Sequence, residues 1–178
     1  NDPYVEKEAF KLLSSFEKGD KKIIDLFSRV VAVCVKNQSK SIQELGIEFD
    51  KFDYESKYLF NKKTDEILKK LKKTGKLFED EEGRLVLNQE GYGLSMKSPM
   101  LVLTRNDKSS LYPLRDIAYT EEKMEIAKKN ILVLGEDQKL YAQQLGKVFE
   151  LLGKGYPRLV HYSFVLLDEG KMATRKGN

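Results

Sequence analysis

Apolar positions recur at helical spacing through residues 4–17, where Phe10, Leu13 and Phe16 share one side of a 3.6-residue repeat. Gly19 interrupts that pattern. A second helix is expected over residues 21–37. Its middle, Val30-Val31-Ala32-Val33-Cys34-Val35, is apolar on most sides, which predicts a well-buried helix with Cys34 as a small interior hydrophobe. Leu45, Ile47, Phe49, Phe52 and Tyr54 then alternate with polar residues and predict a short strand. Helical spacing returns in residues 64–74 through Ile67, Leu68 and Leu71, with Thr64 as the N-cap and Gly75 as the stop.

Beyond Gly75 the period shortens. Leu77-Phe78, the acidic turn 79–83 and residues 84–87 predict a hairpin, and residues 99–104 a further strand. After the turn 106–109, Ser110-Leu111-Tyr112 is expected to open another strand. Pro113 fits the first turn of a helix, where its missing N–H leaves no partner unsatisfied; that helix is expected to reach residue 129. Ile131-Leu132-Val133-Leu134 is a continuous apolar run of the kind seen in a parallel strand covered on both faces. Residues 138–152 predict a helix stopped by Gly153 and Gly155, and residues 159–167 a strand leading into the final loop. Helix, strand, helix, strand is half of a doubly wound parallel α/β sheet. The expected division places a helical and hairpin part at residues 1–110 and the nucleotide-fold half at residues 111–178. Ligands of such sheets gather beyond the carboxyl ends of the strands. Three segments then face one cleft: Tyr112-Pro113, Gly135-Glu136-Asp137 and residues 168–171.

Composition narrows the function classes. Of the 178 residues 40% are hydrophobic and 34% charged, with a formal net charge of +4. That is a globular composition whose mild basicity permits a polyanionic partner without requiring one. One cysteine and one histidine exclude an intrachain disulfide and a Cys/His zinc cluster, so no protein-bound metal is expected. The cysteine usage suits a reducing cytoplasmic setting. No apolar stretch approaches the ~20 residues that cross a membrane, so no membrane partner is expected.

Two constellations carry candidate chemistry. Lys171, Arg175 and Lys176 set three cations in a short glycine-containing loop that ends at Gly177, a suitable clamp for a triphosphate. Tyr112 and Asp116, four residues apart at a strand-to-helix junction, share one helix face and can receive a planar guanidinium. On spacing alone the ordinary readings prevail: a solvated basic loop, and an aspartate favoured by the macrodipole in a helix's first turn.

A resemblance reverses that weighting. Lys171-Met172-Ala173-Thr174-Arg175-Lys176-Gly177 resembles the K-M-S-T-R-K-G loop of arginyl-tRNA synthetases, a branch of the class I family whose general motif is K-M-S-K-S; Ala173 stands where serine is usual. Leu111-Tyr112-Pro113-Leu114-Arg115-Asp116-Ile117-Ala118 is similar to that family's L-Y-x-T-R-D-[IL]-A, with Leu114 in place of threonine. Residues 135–144 resemble G-x-[ED]-Q-x-L-H-x-x-Q, with Tyr141 in place of histidine, and residues 161–165 resemble H-V-x-[FY]-G. Residues 65–87 also resemble the family's helix and hairpin, so the likeness spans nearly the whole chain.

The resemblance implies the second half of a Rossmann-like class I catalytic domain, preceded by a helical and hairpin insertion. It implies ATP-dependent activation of L-arginine and transfer to tRNA(Arg), with Mg2+ accompanying ATP and a monomeric enzyme. By the same carry-over Lys171, Arg175 and Lys176 serve catalysis, while Tyr112, Asp116 and Gln138 bind arginine. Gly135, Asp137, His161, Phe164, Val165, Lys171 and Met172 then line the ATP site. Arg115, already cationic, reads as a structural group. The H-I-G-H-type motif of class I enzymes needs two histidines, and this sequence has His161 alone. The segment in isolation is therefore expected to be an inactive internal part of the catalytic domain. The competing reading is a non-catalytic synthetase-like module that binds tRNA or a protein partner.

Overall fold

The computed structural model describes residues 2–94, 99–163, 166–167 and 170–171. It divides into two compact units, Asn1–Phe60 and Asn61–Asn178. The functional division expected at residue 110 falls within the second unit.

In the first unit, helix α1 (Pro3–Glu17) starts at Asp2, whose carboxylate accepts the Tyr4 amide hydrogen at 2.9 Å. Helix α2 (Lys21–Glu44) starts in the same way: Asp20 accepts from the Lys22 and Ile23 amides at 2.9 and 3.2 Å. Both aspartates satisfy orphan donors of a first turn. The two helices meet through Phe16 and Phe27, with ring centroids 5.0 Å apart. Gly46, at φ +73°, lets the chain turn back so that Gly46 N–H reaches Gln43 O and Ile47 N–H reaches Ile42 O.

Three expectations fail in this unit. Helix α2 runs seven residues past its expected end at residue 37, because Gly46, and not the polar segment before it, terminates it. It contains no buried residue, and Val30, Val33 and Cys34 are exposed. An apolar helix is buried only by what surrounds it, and within this unit α1 and a short following segment offer too little cover. No strand forms over residues 45–54. Alternation there has no partner strand to pair with; Phe49 and Phe52 pack edge-on at 5.6 Å instead, and a single turn, α3 (Lys57–Phe60), follows.

The second unit opens on α4 (Lys63–Lys72). Asn61 accepts the Lys63 amide at 3.1 Å, while Thr64, the expected cap, lies buried inside the helix. Gly75, at φ +71°, closes it as expected. Strands β1 (Leu77–Glu79), β2 (Leu85–Asn88) and β3 (Met100–Val102) form an antiparallel meander in the order β1-β2-β3, which fulfils the predicted hairpin and its third strand. Ser110 makes a lone bridge to Thr104 and no strand follows; Tyr112 opens the helix directly. That helix, α5 (Tyr112–Ile126), has Pro113 in its first turn and buries Leu114, Ile117 and Ala118 against α4, whose Ile67 and Leu71 are fully buried.

Strand β4 (Ile131–Gly135), a 3-10 turn (Glu136–Gln138), α6 (Lys139–Leu151) and β5 (Arg158–Tyr162) complete a parallel β-α-β unit. Its register sets Leu134 opposite His161 and Gly135 opposite Tyr162. β4 is covered on one face only: Leu132 and Leu134 are half-buried, whereas Ile131 and Val133 are over 60% exposed. A continuous apolar run predicts two covered faces, but the helices described in this unit supply one. β5 is shorter than expected. Beyond it, Leu166–Leu167 (β6) pairs with Gly170–Lys171 (β7) in a separate antiparallel ribbon. Among the described residues, no helix is long and apolar enough to cross a membrane.

Candidate active site

Proline at the start of α5 fixes where that helix begins, and this sets Tyr112 and Asp116 one turn apart on the same face. Across from them α6 presents Tyr141. The Tyr141 hydroxyl donates to Asp116 Oδ2 at 2.7 Å, and the Tyr112 and Tyr141 rings lie 5.2 Å apart at 50°. Burial raises the Tyr141 hydroxyl pKa far above its ordinary value, and the Asp116 hydrogen bond and charge reinforce the shift. Tyr141 is therefore a fixed donor that aims a carboxylate oxygen.

Asp116 and Tyr141 border a cavity of about 230 Å³ between α5, α6, the inner face of β4 and Tyr156 of the turn after α6. Asp116, Gln138, Tyr141 and Tyr156, with Tyr119, Thr120 and Lys123 on the α5 side, supply its polar groups, and Leu132, Leu134, Ala142 and Leu145 its apolar wall. A carboxylate among apolar walls and phenols, with an amide at the rim, suits a cation of planar, donor-rich shape.

Arg115 points elsewhere. Its guanidinium bonds the Ser110 backbone oxygen closely and lies 3.3 Å from Ser110 Oγ, which ties the preceding loop to α5. A structural role through ion pairing was expected of Arg115; the bonds to Ser110 are structural ties to neutral groups.

At the end of β4, a Cβ on Gly135 would come within 2.6 Å of the Asp137 carboxylate and 3.6 Å of the Tyr162 hydroxyl. The carboxylate is the end of a flexible side chain and can shift. Asp137 therefore folds over its own strand end. It accepts a 3.4 Å contact from the Gln138 side-chain amide and caps no helix; α6 begins without a side-chain cap. His161 lies in β5 with its Nδ1 enclosed and, among the described residues, no group bonded to it.

Residues 1–178 match a family model described as tRNA synthetases class I (R), catalytic domain. The chain belongs to this family. It is 37% identical over 175 residues to the arginine–tRNA ligase of Methanothermobacter thermautotrophicus, covering 98% of this chain and 30% of that protein. It is also 37% identical over 185 residues to the arginine–tRNA ligase of Methanopyrus kandleri, with 99% and 30% covered. The chain thus spans less than a third of the length of these relatives. Its fold matches the arginyl-tRNA synthetase of Thermus thermophilus with a TM-score of 0.71 at 19% identity, over 97% of this chain and 35% of that one. The enzyme from Plasmodium falciparum gives 0.73 at 17% identity, over 91% and 28%. This fold likeness agrees with the mixed α/β class read from the sequence.

Within this class I catalytic-domain chain, the residues picked from the sequence are partly brought together. Asp116 and Gln138 line the cavity, and Tyr112 lies against Tyr141 outside that lining. Gly135 and Asp137 sit at the adjoining strand end, and His161 lies in the paired strand. Lys171 lies in β7, and its side chain is outside the described part. Phe164, Val165, Met172, Arg175 and Lys176 lie outside the described residues. Five polar residues that line the cavity were not picked from the sequence: Tyr119, Thr120, Lys123, Tyr141 and Tyr156. For Tyr141 the available signal was its position in the G-x-[ED]-Q-x-L-H pattern, where a ring with a polar atom is usual. Tyr156 carried no signal, because its place in the cavity follows from the turn after α6.

Proposed function

We propose that the protein is an arginine–tRNA ligase, in which this chain forms the second half of a Rossmann-like nucleotide fold with its preceding helical and hairpin insertion. L-Arginine and ATP give arginyl-adenylate and pyrophosphate, and the arginyl group then passes to a terminal ribose hydroxyl of tRNA(Arg). The observation that carries the reading is the Asp116 carboxylate, aimed by Tyr141 into a cavity whose other walls are largely apolar. A guanidinium stays protonated at any relevant pH and only donates, so an ionised carboxylate complements it in charge and in hydrogen bonding.

Tyr112 lies tilted beside the Tyr141 ring and Gln138 stands at the rim, where they hold the amino acid in place. Gly135, Asp137, His161, Phe164 and Val165 form the nucleotide side. Lys171, Met172, Arg175 and Lys176 contribute a loop that neutralises charge developing on the phosphates, more in the transition state than in the ground state. Mg2+ enters with the ATP phosphates. Among the described residues no group of three or more His, Cys, Asp or Glu side chains is placed to hold a metal.

The direct test is exchange of labelled pyrophosphate into ATP by the full-length protein, supplied with tRNA(Arg). Exchange that requires L-arginine is expected. Exchange that ignores arginine, or responds equally to another amino acid, overturns the specificity; no exchange with any amino acid favours a non-catalytic module. Tyr141→Phe is expected to raise the KM for arginine ~3- to 10-fold, because it removes the donor that orients the carboxylate while leaving the carboxylate's charge in place. The KM for ATP should stay within error, and a parallel rise in both would place Tyr141 in general packing.

A further inference from the structure

Tyr156 follows α6 in the turn that leads into β5, and it belongs to none of the motifs that carry the functional reading. Its ring packs on Phe149, with centroids 5.3 Å apart, and it lies against Gly146, where an added Cβ would stand 3.4 Å from ring carbon Cδ1. Phe149 itself is 1% exposed, so the ring is seated on the core. The hydroxyl behaves differently from the ring. It is buried, and no group among the described residues bonds it. Tyr156 lines the same cavity as Asp116, Gln138 and Tyr141.

A phenylalanine would fill that ring site without enclosing a polar atom. Leaving a hydroxyl enclosed and unbonded costs free energy, and such groups are rare in folded proteins. A ligand that enters the cavity with hydrogen-bond donors removes that cost and so gains affinity from it.

We infer that Tyr156 is a substrate-binding and specificity-determining residue, its hydroxyl oxygen accepting an N–H of the guanidinium that Asp116 neutralises. The inference rests on the proposal that this cavity holds the arginine side chain. Burial, with the Asp116 charge adding to it, pushes the Tyr156 hydroxyl up to about 12, so it stays neutral at working pH. A neutral phenol has lone pairs for a donor-only ligand, and its own hydrogen can turn toward a carboxylate. Asp116 thus supplies charge, and Tyr156 supplies a second acceptor fixed by core packing. The two acceptors bond a guanidinium's several planar N–H groups better than they bond a single ammonium point.

The test is Tyr156→Phe in the full-length protein, with arginine and ATP kinetics and thermal melting measured side by side. A fall of ~10-fold in kcat/KM for arginine is expected, with the KM for ATP unchanged. The Tm should hold or rise slightly, since the ring remains and the enclosed polar atom is gone. Unchanged arginine kinetics overturn the inference, and a resident water then satisfies the hydroxyl. A fall in Tm with equal losses for arginine and ATP overturns it too, by making the hydroxyl structural. Asp116→Asn, run in parallel, separates the two levels. If it weakens arginine use while Tyr156→Phe does not, only the assignment of Tyr156 falls. If neither variant affects arginine, the cavity is not the arginine site.

Discussion

Asp116→Asn is expected to cut kcat/KM for arginine by ~10- to 100-fold in the full-length protein and to leave the KM for ATP in place. A guanidinium loses water when it enters a cavity walled by Leu132, Leu134 and Leu145, and it cannot shed its charge to reduce that cost. Charge-assisted hydrogen bonds from a carboxylate offset the loss, each contributing about 1.5–3 kcal/mol. The amide keeps the shape but removes the charge. It also turns one acceptor into a donor that faces a ligand with donors only. Tyr141 loses its charged acceptor in the same step, so the variant disturbs both halves of the 2.7 Å bond. Steady-state kinetics with each substrate varied in turn decide the matter. Intact arginine kinetics with a lowered Tm would make Asp116 a helix-end residue and withdraw the assignment of the amino-acid site.

Much of the architecture was legible because it is written locally. Pro113 and the glycines at 75 and 153 mark element ends through backbone chemistry that needs no tertiary context, and α4, the hairpin, α5 and α6 came out near their observed bounds. Reading failed where the outcome depends on what lies opposite. The apolar middle of α2 records which residues tolerate burial, and it says nothing of what covers them. The run 131–134 reads as a two-sided strand, yet Ile131 and Val133 face outward. The alternation at 45–54 found no strand to pair with. Each is a statement about a partner, and a one-dimensional pattern does not contain partners.

The candidate site divides in the same way. Tyr112 and Asp116 are neighbours by helix geometry, so their pairing followed from a spacing of four. Tyr141 lies 25 residues from Asp116 and meets it only because α6 packs against α5. The motif pattern flagged position 141 by its departure from histidine. The structure shows what that substitution keeps: a ring whose polar atom can bond Asp116. Tyr156 is further still from any pattern, since a turn residue reaches the cavity through packing on Phe149 and Gly146 of α6.

The packing that aligns these helices depends on a second charged residue of α5. Glu121 has a side chain only 6% exposed and accepts from Lys70 Nζ of α4 at 2.9 Å; Lys154 Nζ, from the turn after α6, bonds the same oxygen. Burial works to raise its pKa, but the hydrogen bonds and charges of Lys154 and Lys70 outweigh it and hold the carboxyl below its ordinary 4.5. A lowered folded pKa means that the interaction stabilises the fold above the unfolded value and is lost as pH falls through the folded one. Glu121→Gln is therefore expected to lower stability at pH 7 by about 1–3 kcal/mol, less than a fully buried pair because both lysines are two-fifths exposed and screened. Denaturant titrations of the protein and the variant from pH 7 to pH 3 check the sign. The gap should be widest at neutral pH, begin to close just below pH 4.5, and vanish once Glu121 is protonated in both folded and unfolded states. A gap that stays constant through the acid range would mean that the side chain's shape, and not its charge, holds α4, α5 and the turn after α6 together.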